Sequence, residues 1–320
     1  MYKKQLSVWQ GVCYESIIKG LKCYRESIRV FDTNIDSLNS VVEAIRKDTP
    51  SLYYVDSFKM QIHSSRRYAD IIPLYFFSKE EVNNLNSQLQ CVLENVKVGV
   101  TGKDEWGSVL RIHDYLCSQV SYHESGQESH SVVGALLREK AVCEGMAKAF
   151  KYICDYLDIK CCLVSGHAKS PTNPSMMENH AWNKVKINGE WYNIDVTFDN
   201  TIGTKNRIRH DYFLISDKDM QKDHIELSKS NLPCVSENLS YYVKKNLIIH
   251  NQQQLIDLTK SNIAKGIYSF EFKLPNASDI NTIHQKVFKN IEIAMNSAKS
   301  CGQINLVYNK EQLVFSIKIG

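Results

Sequence analysis

The period at which hydrophobic residues recur changes along this 320-residue chain, and it predicts alternating helices and strands in three regions. In the first region, residues 1–98, the segment 36–46 carries apolar residues at helical spacing. Ser78-Lys-Glu-Glu81 is a capping-box pattern that predicts the start of a second helix. Extended apolar runs predict three strands, over 26–31, 52–55 and 71–77. Because no polar groups converge here, we expect this region to provide packing or substrate recognition.

The last region, residues 226–320, also alternates between the two periods. It predicts a strand, a helix, a strand, a helix and two closing strands, over 241–249, 252–264, 267–274, 280–298, 303–308 and 312–319. This order predicts a small α+β sandwich.

The middle region, residues 99–225, is where the pattern points to chemistry. A helix is predicted over 106–116, and after Cys143 the apolar residues recur as in a helix with one buried face. Cys143 is therefore expected at a helix N-terminus, where free N–H groups and the helix dipole favour a thiolate and can bind an oxyanion. Cys154 falls on the apolar face of the same helix, and we interpret it as a core residue.

Two further strands, 179–187 and 190–197, are predicted to meet across Asn188-Gly189, a dipeptide that favours a two-residue hairpin loop. They follow a short predicted strand, 160–165, and a loop rich in Pro and Asn that runs to Glu178. The hairpin is thus expected to form one rigid antiparallel element.

The two-residue loop fixes the register of this hairpin, so we expect Asp195 opposite Trp182 and His180 opposite Thr197. Alternation along the strands then places all four side chains on one face. His180 and Asp195 become diagonal neighbours, with Cβ atoms about 7 Å apart or less. Asp199 shares this face by period two and is a rival partner for His180, although it lies beyond the expected end of the ladder.

Cys143, His180 and Asp195 together supply the groups that a thiol enzyme needs. His180 can take the proton of Cys143, or hold the pair as thiolate and imidazolium, while Asp195 fixes its tautomer and stabilises the cation. Each residue alone has an ordinary structural interpretation, as a core thiol, a strand histidine or a strand-end aspartate. Their combination on one helix start and one hairpin favours catalysis.

Composition excludes several other classes of protein. With 43% hydrophobic and 10% aromatic residues, the chain is not disordered. A net charge of +4, with scattered basic residues, gives no argument for a nucleic-acid partner. No apolar run approaches the ~20 residues of a membrane span, and no signal-like stretch follows the N-terminal lysines. We therefore expect a cytoplasmic protein that binds neither nucleic acid nor membrane.

The ten cysteines are spread along the chain without any C-x-x-C pair. This distribution is typical of a reduced intracellular protein rather than a disulfide scaffold. Cys161, Cys162 and His167 lie near one another in sequence but lack the ligand spacing of a zinc site. The predicted thiol chemistry needs neither a metal nor a cofactor, and we expect none.

Two segments carry a resemblance to a known family: G-A-L-L-R-E-K-A-V-C-E-G-M-A-K-A-F, 134–150, and N-H-A-W-N-K-V-K-I-N-G-E-W-Y-N-I-D-V-T-F-D, 179–199. They resemble the core of the bacterial transglutaminase-like superfamily, a papain-like thiol fold with the triad order Cys, His, Asp. The resemblance extends to R-I-H-D-Y-L before them and H-D-Y-F-L-I-S-D-K-D-M-Q-K-D-H, 210–224, after them, and so spans about 105–225.

The resemblance implies an α+β fold in which the helix bearing the cysteine packs on a small antiparallel sheet, here flanked by N- and C-terminal α+β regions. It matches the family's nucleophile to Cys143, its histidine to His180 and its aspartate to Asp195. In some members an upstream aromatic or polar side chain helps to hold the oxyanion. The other candidates for lining the site are Trp106, Tyr122, Gln127 and Trp182, of which Trp182 is expected to shield the Cys–His pair.

Three activities use such a triad through a cysteine thioester, and they differ in acyl donor and acceptor. An amide donor with water gives a peptidase or amidase, and the same donor with an amine gives a transglutaminase. An acyl-CoA donor gives an N-acyltransferase, but the Arg-Gly-Gly run of the arylamine acetyltransferases is missing before Cys143. The four-Cys zinc site usual in peptide N-glycanases is missing as well.

The resemblance implies peptide or protein amide substrates. We favour hydrolysis by a cysteine peptidase or amidase, because a transferase must exclude water from the site. A non-catalytic binding module on the same fold is the alternative from a different class, although an intact triad argues against it. The sequence specifies neither the substrate nor the oligomeric state.

Overall fold

Within the part of the chain that the structure describes, three antiparallel sheets and the helices packed on them position the residues singled out above. The structure is a computed structural model that describes residues 1–169, 176–204, 207–228, 230–276 and 282–320. Residues 170–175, which belong to the predicted Pro- and Asn-rich loop, lie outside the described residues.

The N-terminal region consists of three helices and a three-stranded sheet. Its elements are α1 (Val8–Lys22), β1 (Ile28–Val30), α2 (Ile35–Asp48), β2 (Val55–His63), β3 (Tyr68–Tyr75) and α3 (Lys79–Val100). The strand order is β1-β3-β2. Ser78 and Glu81 form the predicted capping box at the start of α3. The strand predicted over 52–55 is wrong except for its last residue, because Pro50–Leu52 forms a 3-10 turn.

The middle region holds the largest sheet. Its elements are α4 (Glu105–Gln119), β4 (Ser121–Tyr122), α5 (Val132–Leu137), β5 (Lys140–Ala141), α6 (Cys143–Tyr156), β6 (Cys161–Lys169), β7 (Met177–Ile187), β8 (Glu190–Ile194), α7 (Val196–Ile202), β9 (Phe213–Ile215), α8 (Asp217–Met220) and β10 (His224–Glu226). Five strands pair antiparallel in the order β10-β6-β7-β8-β9, and α6 packs against β6 and β7. This is the expected arrangement of a helix on a small antiparallel sheet.

The hairpin formed by β7 and β8 has the predicted register, from Ile187 opposite Glu190 to Asn183 opposite Ile194. The second strand was expected to continue to residue 197, and that prediction is wrong. Asp195 accepts hydrogen bonds from the backbone N–H groups of the second and third residues of α7, and this cap ends the strand. Asp195 is therefore not paired with Trp182. His180 pairs instead with Gly166 of β6.

The C-terminal region contains a third group of helices and strands. Its elements are α9 (Tyr241–Lys244), α10 (Gln252–Ala264), β11 (Ser269–Lys273), α11 (Ile283–Ser297), β12 (Ile304–Asn309) and β13 (Val314–Ile319), with the strand order β11-β13-β12. Residue 280, where the second helix was predicted to begin, lies outside the described residues. The strand predicted over 241–249 is wrong: Tyr241–Lys244 forms α9, and within this range only Ile248 makes a β-bridge, to Lys273. Tyr241 stacks on His210, and the Tyr242 hydroxyl reaches Asp211.

Buried apolar residues from Tyr2 to Leu214 form one continuous cluster, so the first and middle regions share a core. Residues between Ile249 and Ile319 form a cluster of their own. The domain boundaries at 98/99 and 225/226 stay predictions. Within the described ranges, no helix combines the length and apolar content needed to cross a membrane.

Candidate active site

Cys143 is the first residue of α6, as the sequence predicts, and the residue is partly exposed. The residue before it, Val142, has no side-chain oxygen to cap the helix. The first N–H groups of α6 are therefore available beside the sulfur, together with the positive end of the helix dipole. N–H groups in this position can stabilise negative charge on a bound carbonyl oxygen.

The loop that precedes α5 lies directly against this helix start. Val142 N–H donates to the Ser129 carbonyl oxygen over 3.1 Å. A Cβ placed on Gly145 would lie 2.2 Å from the same oxygen, closer than any real contact allows. Glycine at this position lets the loop and the first turn of α6 approach each other, which holds Cys143 in place.

A buried amide fixes α6 relative to the sheet. The Asn183 side chain on β7 donates to the Ala147 carbonyl oxygen over 3.0 Å. Ala147 lies one turn after Cys143, and Asn183 lies three residues after His180. This bond therefore sets the position of the thiol relative to the imidazole, one from each element.

The imidazole of His180 and the carboxylate of Asp195 are hydrogen-bonded, with His180 Nε2 2.6 Å from Asp195 Oδ2. Asp195 is fully buried, and its other oxygen accepts the N–H groups of Thr197 and Phe198 at 2.9 and 3.0 Å. Because Nε2 faces the carboxylate, Nδ1 is the ring nitrogen left for Cys143, whose thiol contributes to the raised pKa of this imidazole.

This arrangement shifts the protonation of both partners. Burial of His180 opposes its charged form, but the Asp195 carboxylate and the Cys143 thiol outweigh burial and raise the pKa of His180 to about 10. Burial would also raise the pKa of Asp195, but His180 and His224 hold that pKa well below its usual range. The site is therefore suited to keeping an imidazolium beside an ionised carboxylate.

His224 is a second imidazole on the same carboxylate, and the sequence analysis missed it. Its Nε2 lies 3.0 Å from Asp195 Oδ2, and its Nδ1 lies 2.6 Å from Asp223 Oδ1. It lies on β10, opposite Ala168 of β6, and β6 in turn pairs with β7. The sequence does show an Asp-His pair at 223–224. Placing this pair beside Asp195 requires the strand order β10-β6-β7, which the local pattern of residues does not predict.

Two of the other candidate residues lie near the three central groups. The Trp182 ring is buried, lies 6.1 Å from the His180 ring and packs edge-on to His224. Tyr122 ends β4 and is half exposed. Its pKa is raised, first by burial and then by the negative charges of Cys143 and other nearby groups. It pairs with Ala141 of β5, two residues before Cys143.

The remaining candidates make contacts elsewhere. The Trp106 indole donates to the Leu239 carbonyl oxygen within the core, and Gln127 donates to the Asp56 side chain of the N-terminal region. Asp199 accepts from His113 and from the Tyr212 N–H rather than from His180. Its assignment to the His180 face fails because α7 replaces the expected strand.

A second group of polar side chains lies in the core outside this site. It involves the sequence pairs His113-Asp114 and His210-Asp211. Asp114 Oδ1 lies 3.0 Å from His113 Nδ1 and 2.8 Å from His210 Nε2. These three side chains have potential ligand atoms within 4.8 Å of one another, close enough to hold a metal ion. Because the hydrogen bonds already use these atoms, we interpret the group as a core network that joins α4 to the segment before β9.

Part of this chain is similar in sequence or in structure to known proteins. The domain model of the transglutaminase-like superfamily matches residues 95–196, a range that contains Cys143, His180 and Asp195. Kyphoscoliosis peptidases of Mus musculus and of Homo sapiens are each 27% identical to this chain over 100 residues, which is 28% of this chain and 15% of theirs. The match thus spans a small part of those relatives. The crystal structure of a TGase aligns over 53% of this chain and 50% of its own, with 12% identity and a TM-score of 0.32.

Proposed function

We propose that this chain, which carries a transglutaminase-like domain over residues 95–196, is a thiol enzyme that hydrolyses amide bonds in peptides or proteins. The observation that carries the proposal is the 2.6 Å hydrogen bond between His180 and the buried Asp195, formed beside a cysteine at a helix start. Thiol catalysis needs these three roles together: a nucleophile, a base that takes its proton, and a group that orients the base.

The proposed reaction proceeds in two halves. His180 takes the Cys143 proton, the sulfur attacks the amide carbonyl carbon, and the N–H groups at the start of α6 receive the developing oxyanion. When the C–N bond breaks, the amine leaves with the proton held by His180 and the acyl group stays on sulfur as a thioester. Water then attacks the thioester with His180 as base, which releases the acid and restores the thiol. Asp195 holds the imidazole in one orientation throughout.

The preference for peptide amides and for water rests on two points. Proteins with transglutaminase-like domains act on protein or peptide substrates, and the mouse and human relatives are named peptidases. Water is present in any open site, and Cys143 is partly exposed. An amine acceptor would need a site that excludes water and holds a second substrate.

Mass spectrometry of products separates hydrolysis from transfer. The protein is incubated with a peptide library with and without a primary amine, and Cys143→Ala serves as the control. We expect products whose masses add up to the substrate plus one water, unchanged by the amine and absent with Cys143→Ala. A mass gain equal to the amine minus ammonia would overturn hydrolysis in favour of transfer. Identical product patterns with Cys143→Ala would overturn the assignment of the nucleophile.

A further inference from the structure

We propose that His224 is a positioning residue: a buried imidazolium, held between Asp195 and Asp223, that limits the negative charge Asp195 presents to His180 and Cys143. The inference rests on the proposed function, because it concerns how the same thiol is activated. His224 touches neither the thiol nor a substrate in this account, and it acts through the carboxylate that it shares with His180.

The donors around Asp195 fix the protons on both imidazoles. Oδ1 accepts two backbone N–H groups, and Oδ2 faces the Nε2 atoms of His180 and His224 at 2.6 and 3.0 Å. A carboxylate oxygen can only accept, so each Nε2 must carry a proton for both bonds to form. His224 is therefore at least an Nε2–H tautomer.

The groups around Asp223 supply the second proton of His224. Asp223 Oδ2 accepts the Tyr212 hydroxyl at 2.5 Å, and the Asn309 side chain donates to that hydroxyl at 3.2 Å, which leaves the Tyr212 proton for Asp223. Asp223 Oδ1 lies 2.6 Å from His224 Nδ1. With Asp223 as a carboxylate, Oδ1 can only accept, so Nδ1 donates and His224 carries protons on both nitrogens.

The positive charge of His224 acts strongly on Asp195 because both side chains are buried. His224 and Asp223 are 2% and 3% exposed, and aromatic rings of Phe198 and Tyr212 pack around the His224 ring. Burial disfavours the imidazolium, but the two carboxylates outweigh it and raise the pKa of His224. Interactions between charges are much stronger in such a setting than in water.

The charged and titratable groups facing His224 come from several elements. They are His180 on β7, Asp195 at the start of α7, Tyr212 before β9 and Asp223 beside His224 itself. Lys169 on the neighbouring β6 directs its ammonium to Glu311 instead. The only opposing charge on the shared Asp195 oxygen, among the described residues, therefore comes from the two imidazoles.

Loss of the His224 charge would affect the first half of the reaction, in which the thiol is deprotonated and the amine leaves. Without the His224 cation, the full charge of Asp195 would reach His180 and the thiol. A more negative environment disfavours the Cys143 thiolate and makes the His180 imidazolium a weaker acid towards the leaving amine. We therefore infer that His224 moves thiolate formation at Cys143 to lower pH.

The test is the pH profile of Cys143 alkylation by iodoacetamide in the full chain, read on the Cys143 peptide by mass spectrometry. His224→Gln keeps an N–H donor for Asp195 but removes the charge. We expect its profile to move to higher pH by about 0.5–1 unit, as for loss of a nearby cation. His210→Gln is the matched control, because it removes another buried, carboxylate-bonded imidazole, and its profile should coincide with wild type.

The outcomes distinguish this inference from the proposed function. If His224→Gln lowers the rate at every pH without moving the midpoint, its role is structural and the inference is overturned. If wild-type Cys143 reacts no faster than Cys143 in His180→Ala at any pH, the proposed function itself fails. Nitrogen NMR of the wild-type imidazoles gives a second measurement that needs no variant to fold. We expect His224 doubly protonated at pH 7, and a neutral ring would overturn the inference.

Discussion

His180 Nε2 donates to Asp195 Oδ2 across 2.6 Å, while Oδ1 of the same carboxylate caps α7. One side chain therefore orients the candidate base with one oxygen and ends a strand with the other. Substitutions at Asp195 can separate these two tasks, because an amide still offers a capping oxygen but presents an N–H group to His180.

We predict that Asp195→Asn lowers kcat/KM by about 10³- to 10⁴-fold, because the amide favours the wrong tautomer of His180 and does not stabilise its cation. Steady-state hydrolysis of a cleaved library peptide measures this loss. Asp195→Ala should lose comparable activity and, in addition, about 1–2 kcal/mol of unfolding free energy from the lost cap. Equal activity of Asp195→Asn and wild type would contradict the orienting role.

Tyr122 is the candidate side chain for helping the oxyanion, since it pairs with Ala141 of β5, two residues before Cys143. We predict that Tyr122→Phe lowers kcat by about 10²-fold with little change in KM, as for removal of one oxyanion donor. Gln127→Ala is the control, because Gln127 donates to Asp56 and should leave kcat unchanged. An unchanged kcat for Tyr122→Phe would remove Tyr122 from the mechanism.

We predict that Gly145→Ala lowers the free energy of unfolding, whereas the same substitution at an ordinary helix glycine raises it. Alanine in a helix normally adds about 1 kcal/mol of stability over glycine. At Gly145 the new Cβ would collide with the Ser129 carbonyl oxygen, so we expect Gly145→Ala to cost about 1–3 kcal/mol and to slow alkylation of Cys143.

Gly11 of α1 provides the comparison, because no atom lies within 4 Å of a Cβ placed there. Gly11→Ala should raise the free energy of unfolding by about 0.5–1 kcal/mol and leave Cys143 alkylation unchanged. Urea unfolding monitored by circular dichroism measures both variants. A stabilising Gly145→Ala would show that the loop before α5 is not held against α6.

The raised pKa of His180 links the site to the pH dependence of stability. The folded protein holds the proton more tightly, with a pKa of about 10 against an ordinary value of 6.5. The resulting stabilisation is fully present below pH 6.5 and is lost as pH rises towards 10. The difference in unfolding free energy between wild type and His180→Gln should therefore narrow over this interval. A difference that stays constant from pH 6 to 10 would contradict the raised pKa.

The parts of the site that follow from local pattern could be predicted from the sequence. The apolar period after Cys143 gives the helix and its start, and Asn188-Gly189 fixes the hairpin register as far as Ile194. The pattern failed at Asp195, where Val-Thr-Phe alternates like a strand but an aspartate cap starts a helix. The alternating pattern favours a strand at this point and the aspartate favours a helix start. The two backbone hydrogen bonds that Asp195 accepts stabilise the helix.

Residues that depend on sheet order could not be predicted. His224 reaches Asp195 only because β10 pairs with β6. More than fifty residues of chain lie between these two strands. Tyr241 and Tyr242 form a helical turn because their side chains contact another segment. Tyr241 stacks on His210, and the Tyr242 hydroxyl donates to Asp211. In both cases tertiary contacts, rather than local period, determine the structure.

The pH 6 alkylation of all ten thiols by iodoacetamide tests the central claim most directly. Cys23, Cys91 and Cys301 are exposed, whereas Cys143 is only partly exposed, so accessibility alone would make Cys143 slower than these three. We predict the reverse: one fast site at Cys143, slowed to the level of the exposed thiols or below by His180→Ala. If Cys143 reacts no faster than the exposed thiols and is indifferent to His180→Ala, the thiol is not activated and the account is wrong.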